Sequence, residues 1–339
     1  MGVVLFGELL MRLQTPQRER FVQASQFDVH YTGGEANAGV LLSALGTRCR
    51  VVSAVPANDL GTACIQHMRR YGLETTWVRR QGNRLGTVYL ELGASQRPSR
   101  VIYDRAHSSF SQLKKEGLPW NEILQDQQWL HFTGTAPGVN AQLAEVTLEA
   151  CHAAHRLGLT VSCDLNYRSA LWSMESARPV LQEIVNSIDV LIANEEHARD
   201  ILDVSVDVGL QTNGKFCLDR YSALTEALRK TYELSVVALT IRAGQVADQT
   251  SFSAILDDGS NQRMARRYDI QVVDRVGAGD AFSGGLIHAQ LQAWEAGRSV
   301  EFATACGALK HSMPGDFCHS SEQEIMALVE SGEAGRIER

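Results

Sequence analysis

Short apolar runs recur along the chain at 2–6, 50–55, 128–133, 159–164, 189–193 and 235–241, each bounded by polar or glycine residues and each of strand length. Between them, apolar positions return at helical spacing over 35–45, 60–71, 140–157, 177–186, 195–202, 221–231, 278–293 and 299–312. Continuous apolar strands alternating with helices predict an α/β fold: a mostly parallel sheet covered by helices on both faces, in three α/β/α layers. Two segments, about 8–32 and 74–106, break this rhythm. There, fragments such as Gly86-Thr87-Val88-Tyr89-Leu90-Glu91-Leu92 alternate like strands with one wet side. They predict a small β-sheet lid on the body, with a static edge extension left as the alternative. The Gly-, Asp- and Asn-bearing stretch 205–219 is expected to be a surface excursion. No repeat or low-complexity tract divides the chain, so residues 1–339 are expected to form one domain carrying this lid.

Composition narrows the function class. The 339 residues are 44% hydrophobic and 21% charged, which excludes a disordered or fibrous chain. A formal net charge of −7 supplies no basic field, which argues against nucleic acid or a membrane surface as the main partner. Only Lys114, Lys115, Lys215, Lys230 and Lys310 are lysines, so a bound anion is expected to meet arginine guanidinium forks. Seven scattered cysteines form no C-x-x-C pair and read as reduced thiols. The first eight residues lack the charge and length of a secretory signal, and no run approaches eighteen apolar residues; the expected location is the cytoplasm.

The most informative stretch is Val273-Asp274-Arg275-Val276-Gly277-Ala278-Gly279-Asp280-Ala281-Phe282-Ser283-Gly284-Gly285, an extended segment that turns into a helix. Small residues at a helix start expose amides without intrahelical partners, where the helix dipole adds positive potential; this is an anion site. An aspartate on the same turn, Asp280, can face a substrate hydroxyl. A dinucleotide fingerprint is excluded because Phe282 stands where its third glycine belongs, and the single Gly-Lys pair, Gly214-Lys215, lacks the Ser or Thr of a P-loop. The plain alternative is a tight turn whose aspartate only caps a helix. His152 and His155 have no third metal partner, and Arg263, Arg266 and Arg267 lack interleaved aromatics; both groups read as solvated surface.

The string V-D-x-V-G-A-G-D-A-F-x-x-G closely resembles the carboxyl-terminal signature of the ribokinase-like, or PfkB, carbohydrate kinases, and Gly33-Gly34-Glu35-Ala36-Asn37 with Leu45-Gly46 resembles their first signature. The resemblance spans essentially the whole chain. It implies a ribokinase-like fold and ATP-dependent phosphorylation of a sugar with Mg²⁺. Asp280 becomes the catalytic base, and the amides of Gly277, Ala278 and Gly279 stabilise the transferring phosphoryl group. It places Asn194, Arg242 and Gly244 on the nucleotide and Gly33, Gly34 and Asn37 on the sugar. Two departures are visible: Thr32 stands where the first glycine of the pair is common, and His197 replaces the glutamate of N-x-x-E in Asn194-Glu195-Glu196-His197. Metal ligands therefore stay unassigned, with Glu195 or Glu196 acting through water, or ATP alone, as the open alternatives.

Within the family, Val101-Ile102-Tyr103-Asp104-Arg105-Ala106 and the D-x-N-x-R-x-x-L-W segment Asp164–Trp172 resemble the members that phosphorylate 2-keto-3-deoxygluconate. The resemblance assigns Tyr89, Tyr103, Arg105 and Arg168 to a sugar acid, whose carboxylate suits guanidinium forks. Taken singly, either arginine reads as a salt bridge and either tyrosine as lid core. The expected partners are ATP and a small sugar acid, plus a second copy of the chain joined through the lid. Two alternatives stand beside this reading: a kinase of another sugar such as fructose, and a catalytically weak sugar-acid sensor on the same scaffold.

Overall fold

All six apolar runs form strands of one sheet. In the computed structural model, which describes residues 2–206 and 217–331, its order is Gln262–Met264, Gln249–Asp257, Val236–Val246, Val190–Asn194, Thr160–Asp164, Trp129–Thr133, Gly2–Phe6, Arg48–Val55 and Glu74–Arg80, with Tyr268–Gln271 paired to Gln249–Asp257. The seven strands from Val236–Val246 to Glu74–Arg80 run parallel; the remainder are antiparallel additions at one edge. The period-two geometry of strands explains why the parallel runs are apolar throughout. Val4 and Phe6 pack into the core on one face of the sheet, while Val3 and Leu5 pack on the other.

All eight stretches of helical spacing form helices, with ends set by local caps, and the spacing missed two more helices, Trp120–Leu124 and Glu322–Ser331. Asn140 accepts the Leu143 amide to start Ala141–Arg156, and Ser173 accepts the Ser176 amide to start Met174–Val185. The edge hairpin after 246 was hidden from the apolar pattern because its buried face carries serines. Ser253 lies in the core only because its hydroxyl donates to the Ala265 carbonyl at 2.8 Å. Most of the excursion expected at 205–219 lies outside the described residues.

A second sheet of four strands has the order Asp28–Thr32, Leu10–Gln14, Gly86–Glu91 and Arg100–Asp104. The expected second sheet therefore exists over the cleft side of the body, with one correction at its boundary. Residues Glu74–Arg80 pair in parallel with Arg48–Val55 and belong to the main sheet, so the lid's second segment begins at Gly86. Register decides what the lid shows to each side. Thr32, Leu10, Arg12, Val88 and Tyr103 share the face toward the body, whereas Val29, Leu13, Tyr89 and Ile102 form one row on the opposite face.

Candidate functional site

Between the lid and the carboxyl ends of the parallel strands lies a cleft of about 340 Å³. That is where ligands sit in open parallel sheets, because strand ends and helix starts converge there. Strand termini supply Asp164 and Asn194, and the strand Val236–Val246 supplies Arg242; the start of the helix Ala278–Leu291 supplies Gly277, Gly279 and Asp280; and the lid supplies Leu10, Arg12, Thr32, Val88, Tyr103 and Arg105.

Gly277 holds φ +82°, and a side-chain carbon there would collide with the main-chain oxygen of Asp316, so the turn demands glycine. Among the described residues, the amides of Gly277, Gly279 and Asp280 have no hydrogen-bond partner, as an anion site requires. Ala278 departs from the expectation. It is fully buried, and its amide reaches back to the Arg275 carbonyl at 3.4 Å, so the turn presents the amides on either side of it.

Asp280 is half-buried in the cleft wall. Its Oδ2 accepts the Asn37 amide at 2.7 Å, and the Thr32 hydroxyl donates to Asn37 Oδ1 at 3.0 Å, which fixes the amide so that its NH₂ faces the carboxylate. A side-chain carbon on Gly34 would stand 3.6 Å from Asp280 Oδ1 and 3.8 Å from Asn166 Nδ2, so the first signature lies directly against Asp280. Burial pushes the Asp280 carboxyl up to about 7; the Asn37 hydrogen bond opposes this, the Asp164 and Glu35 carboxylates add to it, and Arg168 draws it down. Glu35, buried with its Oε1 accepting the Thr133 amide at 2.8 Å, is likewise raised by burial to about 7.

The guanidinium groups divide along the cleft. Arg105 is buried on the lid side, with its Nε donating to Glu8 Oε2 at 2.6 Å, which orients the fork. Arg168 and Arg242 stand exposed within the cleft on the body side; together they hold the Asp164 carboxyl down against the burial that raises it. Burial first, and then these two cations, push the His197 imidazole down to about 3, so it is neutral. Its Nδ1 is buried without a partner among the described residues.

The cleft thus gathers Gly33, Gly34, Asn37, Tyr103, Arg105, Arg168, Asn194, Arg242, Gly277, Gly279 and Asp280. Three expected residues fall outside it: the buried Ala278, Tyr89 and Gly244. Tyr89 lies on the lid face turned away, where its ring meets Phe27 edge-on at 5.9 Å, and Val88 takes the cleft-facing position. Gly244 sits in the irregular turn of the edge hairpin, pressed against the main chain of Gln249, and serves the change of register between Ala243 and Val246. Glu195 is tied to Arg220 and accepts the Tyr221 hydroxyl at 3.1 Å, so it is no ready metal ligand.

Sequence reasoning left out Glu8, Arg12, Thr32, Asp164 and Asp316, all at or beside the cleft. Leu10 and Arg12 at alternate positions carried a usable signal for a shared strand face; nothing local marked Asp316.

The donor set offers a divalent cation few protein ligands. No group of three or more His, Cys, Asp or Glu side chains among the described residues could hold one. A cation here would be held mainly by nucleotide phosphates with few protein oxygens, which is how Mg²⁺ is commonly bound. Asp164, Asn166, Asn194 and Thr240 are oxygen-bearing side chains that line the cleft from the strand ends.

Comparison with known proteins agrees with this geometry. A 2-dehydro-3-deoxygluconokinase of Thermotoga maritima is 40% identical, with 98% of this chain and 100% of that one covered and a TM-score of 0.93. A 2-dehydro-3-deoxygalactonokinase of Haloferax volcanii is 28% identical over 98% of each chain, and a 2-dehydro-3-deoxygluconokinase of Bacillus subtilis is 27% identical over 96% of this chain and 94% of that one. Residues 2–317 match the family described as pfkB family carbohydrate kinase. Signature turn, lid and ribokinase-like architecture agree with that match, and the chain belongs to the pfkB family of carbohydrate kinases.

Proposed function

We propose that the protein transfers the γ-phosphoryl group of ATP to the terminal hydroxyl of 2-keto-3-deoxygluconate, giving the 6-phosphate. The observation that carries the reading is Asp280: a carboxylate fixed by Asn37 beside unpartnered helix-start amides, in a cleft lined by Arg105 from the lid and Arg168 from the body. Asp280 takes the hydroxyl proton as the bond to phosphorus forms, and the amides of Gly277 and Gly279 face the charge developing on the phosphoryl oxygens. Gly33, Gly34, Asn37 and Tyr103 contact the sugar, the two arginines meet its carboxylate, and Asn194 and Arg242 face the nucleotide. Asp164 and Asn194 would hold Mg²⁺, directly or through water, and the ion would neutralise phosphate charge. The lid excludes water over the reacting atoms.

Steady-state phosphorylation of a panel under excess ATP tests this reading. The 2-keto-3-deoxygluconate kcat/KM should exceed that of fructose or ribose by at least about a hundredfold, the discrimination expected when buried polar groups lose their partners. A preference for a neutral sugar overturns it. The Haloferax relative makes the galactonate epimer the competing substrate of the same class.

The working unit is proposed to be a homodimer in the cytoplasm, where the seven free cysteines stay reduced. Supporting it, the lid row Val29, Leu13, Tyr89 and Ile102 crosses all four strands on the side away from the cleft, and Val29 and Ile102 are 54% and 53% exposed. Sedimentation of wild type against the double variant Val29→Lys, Ile102→Lys is expected to show a dimer and a monomer; a wild-type monomer defeats the proposal.

A further inference from the structure

Beneath the anion turn lies a buried cluster of four charges drawn from three distant parts of the chain. Arg12 comes from the lid strand Leu10–Gln14 and is 1% exposed. Its Nη2 meets Asp274 Oδ2 and its Nε lies beside Asp316 Oδ2, both at 3.2 Å. Asp274 opens the signature string, and its carboxylate holds two backbone amides: Oδ1 accepts Val276 N–H at 3.0 Å, the residue before Gly277, and Oδ2 accepts Gly315 N–H at 3.1 Å. Lys310, fully buried, donates to the main-chain oxygens of Asp274 and Met313 at 3.2 and 3.1 Å. Asp316 in turn packs its main-chain oxygen against Gly277.

Two basic and two acidic groups out of water contribute little stability that a well-packed apolar cluster could not match, so their presence here asks for another role. The placement supplies one. Arg12 shares the sugar-facing side of the lid with Leu10, Val88 and Tyr103, and it also lines the cleft. The adjacent lid strand ends in Thr32, whose hydroxyl sets the Asn37 amide that holds Asp280. The sugar-facing sheet is therefore tied to both halves of the phosphoryl-transfer machinery, to the base through Thr32 and to the amides through Arg12.

We propose that Arg12 is a positioning residue for phosphoryl transfer: seated by the lid, it fixes Asp274 and Asp316 and so holds the amides of Gly277 and Gly279 in line with the acceptor. Arg12 touches neither reactant. Its effect lies on kcat and on how strongly the acceptor stimulates ATP turnover, and less on either KM.

The test compares wild type with Arg12→Met and Arg12→Lys, using the acceptor that wild type turns over fastest, so that an error in the sugar proposed above shows in wild type and leaves this comparison intact. Folding is checked by thermal melting and near-ultraviolet dichroism, and ATP hydrolysis is followed with and without acceptor. Folded Arg12→Met should lose about a hundredfold in kcat with both KM values within about threefold, the mark of an interaction realised in the transition state. The ratio of acceptor-stimulated to acceptor-free ATP turnover should fall by a comparable factor, and Arg12→Lys should recover part of both. A kcat within about twofold of wild type, a loss confined to the acceptor KM, or a loss that only tracks the unfolded fraction overturns the proposal. Should Arg12→Met fail to fold, Arg12→Lys and Asp316→Asn carry the test, and an unchanged kcat in both overturns it.

Discussion

The floor of the cleft and its roof are built by opposite means. The floor is the end of a parallel sheet buried on both faces, where a tight turn, a helix start and a carboxylate lie within a few residues of one another. Their geometry is set by backbone, and burial is the main cause that raises Asp280 and Glu35 to about 7. The roof is a four-stranded sheet with little core of its own. One face lines the cleft, the opposite face exposes Val29 and Ile102, and its polar side chains are oriented by single partners, as Arg105 is by Glu8. In the proposed function the base and the anion turn belong to the floor, and the selecting guanidinium Arg105 belongs to the roof. Each variant below tests that division.

Removing the base strikes the floor hardest. Asp280→Asn should lower kcat by at least about a hundredfold, the low end for a positioned general base, while calorimetry still detects ATP and acceptor binding. The carboxamide introduced by this substitution keeps an oxygen that can accept from Asn37, so the geometry survives and only the proton acceptor is lost. Turnover equal to wild type would mean that the floor acts by binding alone.

On the roof, Arg105→Ala removes a guanidinium and leaves Glu8 buried without its partner. Losing one member of such a pair costs about 2–5 kcal/mol, so kcat/KM for the keto acid should fall by about thirtyfold or more. A neutral acceptor should suffer much less. Equal losses for both acceptors would turn Arg105 from a selector into a strut.

Acidity separates the two regions again. Asp280 must be ionised to accept a proton, and its folded pKa is about 7, raised from the usual carboxylate range. The active fraction is therefore present above that value and lost as pH falls through it, so kcat/KM should drop about tenfold per pH unit well below it. Glu35 titrates near the same value, and the apparent pKa belongs to the coupled pair. A Glu35→Gln variant should keep the acid limb; loss of the limb would assign the titration to Glu35.

What the sequence disclosed follows the same division. The turn, the helix start and Asp280 occupy one short string, so residue type and spacing were enough to read them. Depth in the lid was illegible because facing depends on register: moving from Val88 to Tyr89 is one residue and the opposite side of the sheet. The alternation of Gly86–Leu92 announced a strand without saying which phase met the cleft. Arg12 with Asp274 and Asp316, Glu8 with Arg105, and Glu195 with Arg220 are joined only by tertiary approach, so the string could not show which charge each one meets.

The smallest effect is the sharpest test of register. Tyr103 lines the cleft, whereas Tyr89 lies against Phe27 on the far side of the sheet. Tyr103→Phe should raise the KM for the sugar acid by about tenfold, the scale of one hydrogen bond lost to a partner left unpaired. Tyr89→Phe removes only a hydroxyl on the outer face and should leave kcat and KM within about twofold, as expected of a surface change. Equal increases in KM would place both rings on the sugar and would require the strand Gly86–Glu91 to sit one residue out of the register seen here. That shift would bury Thr87 and Tyr89 toward the cleft and turn Val88 and Leu90 outward, exposing apolar side chains that now face inward.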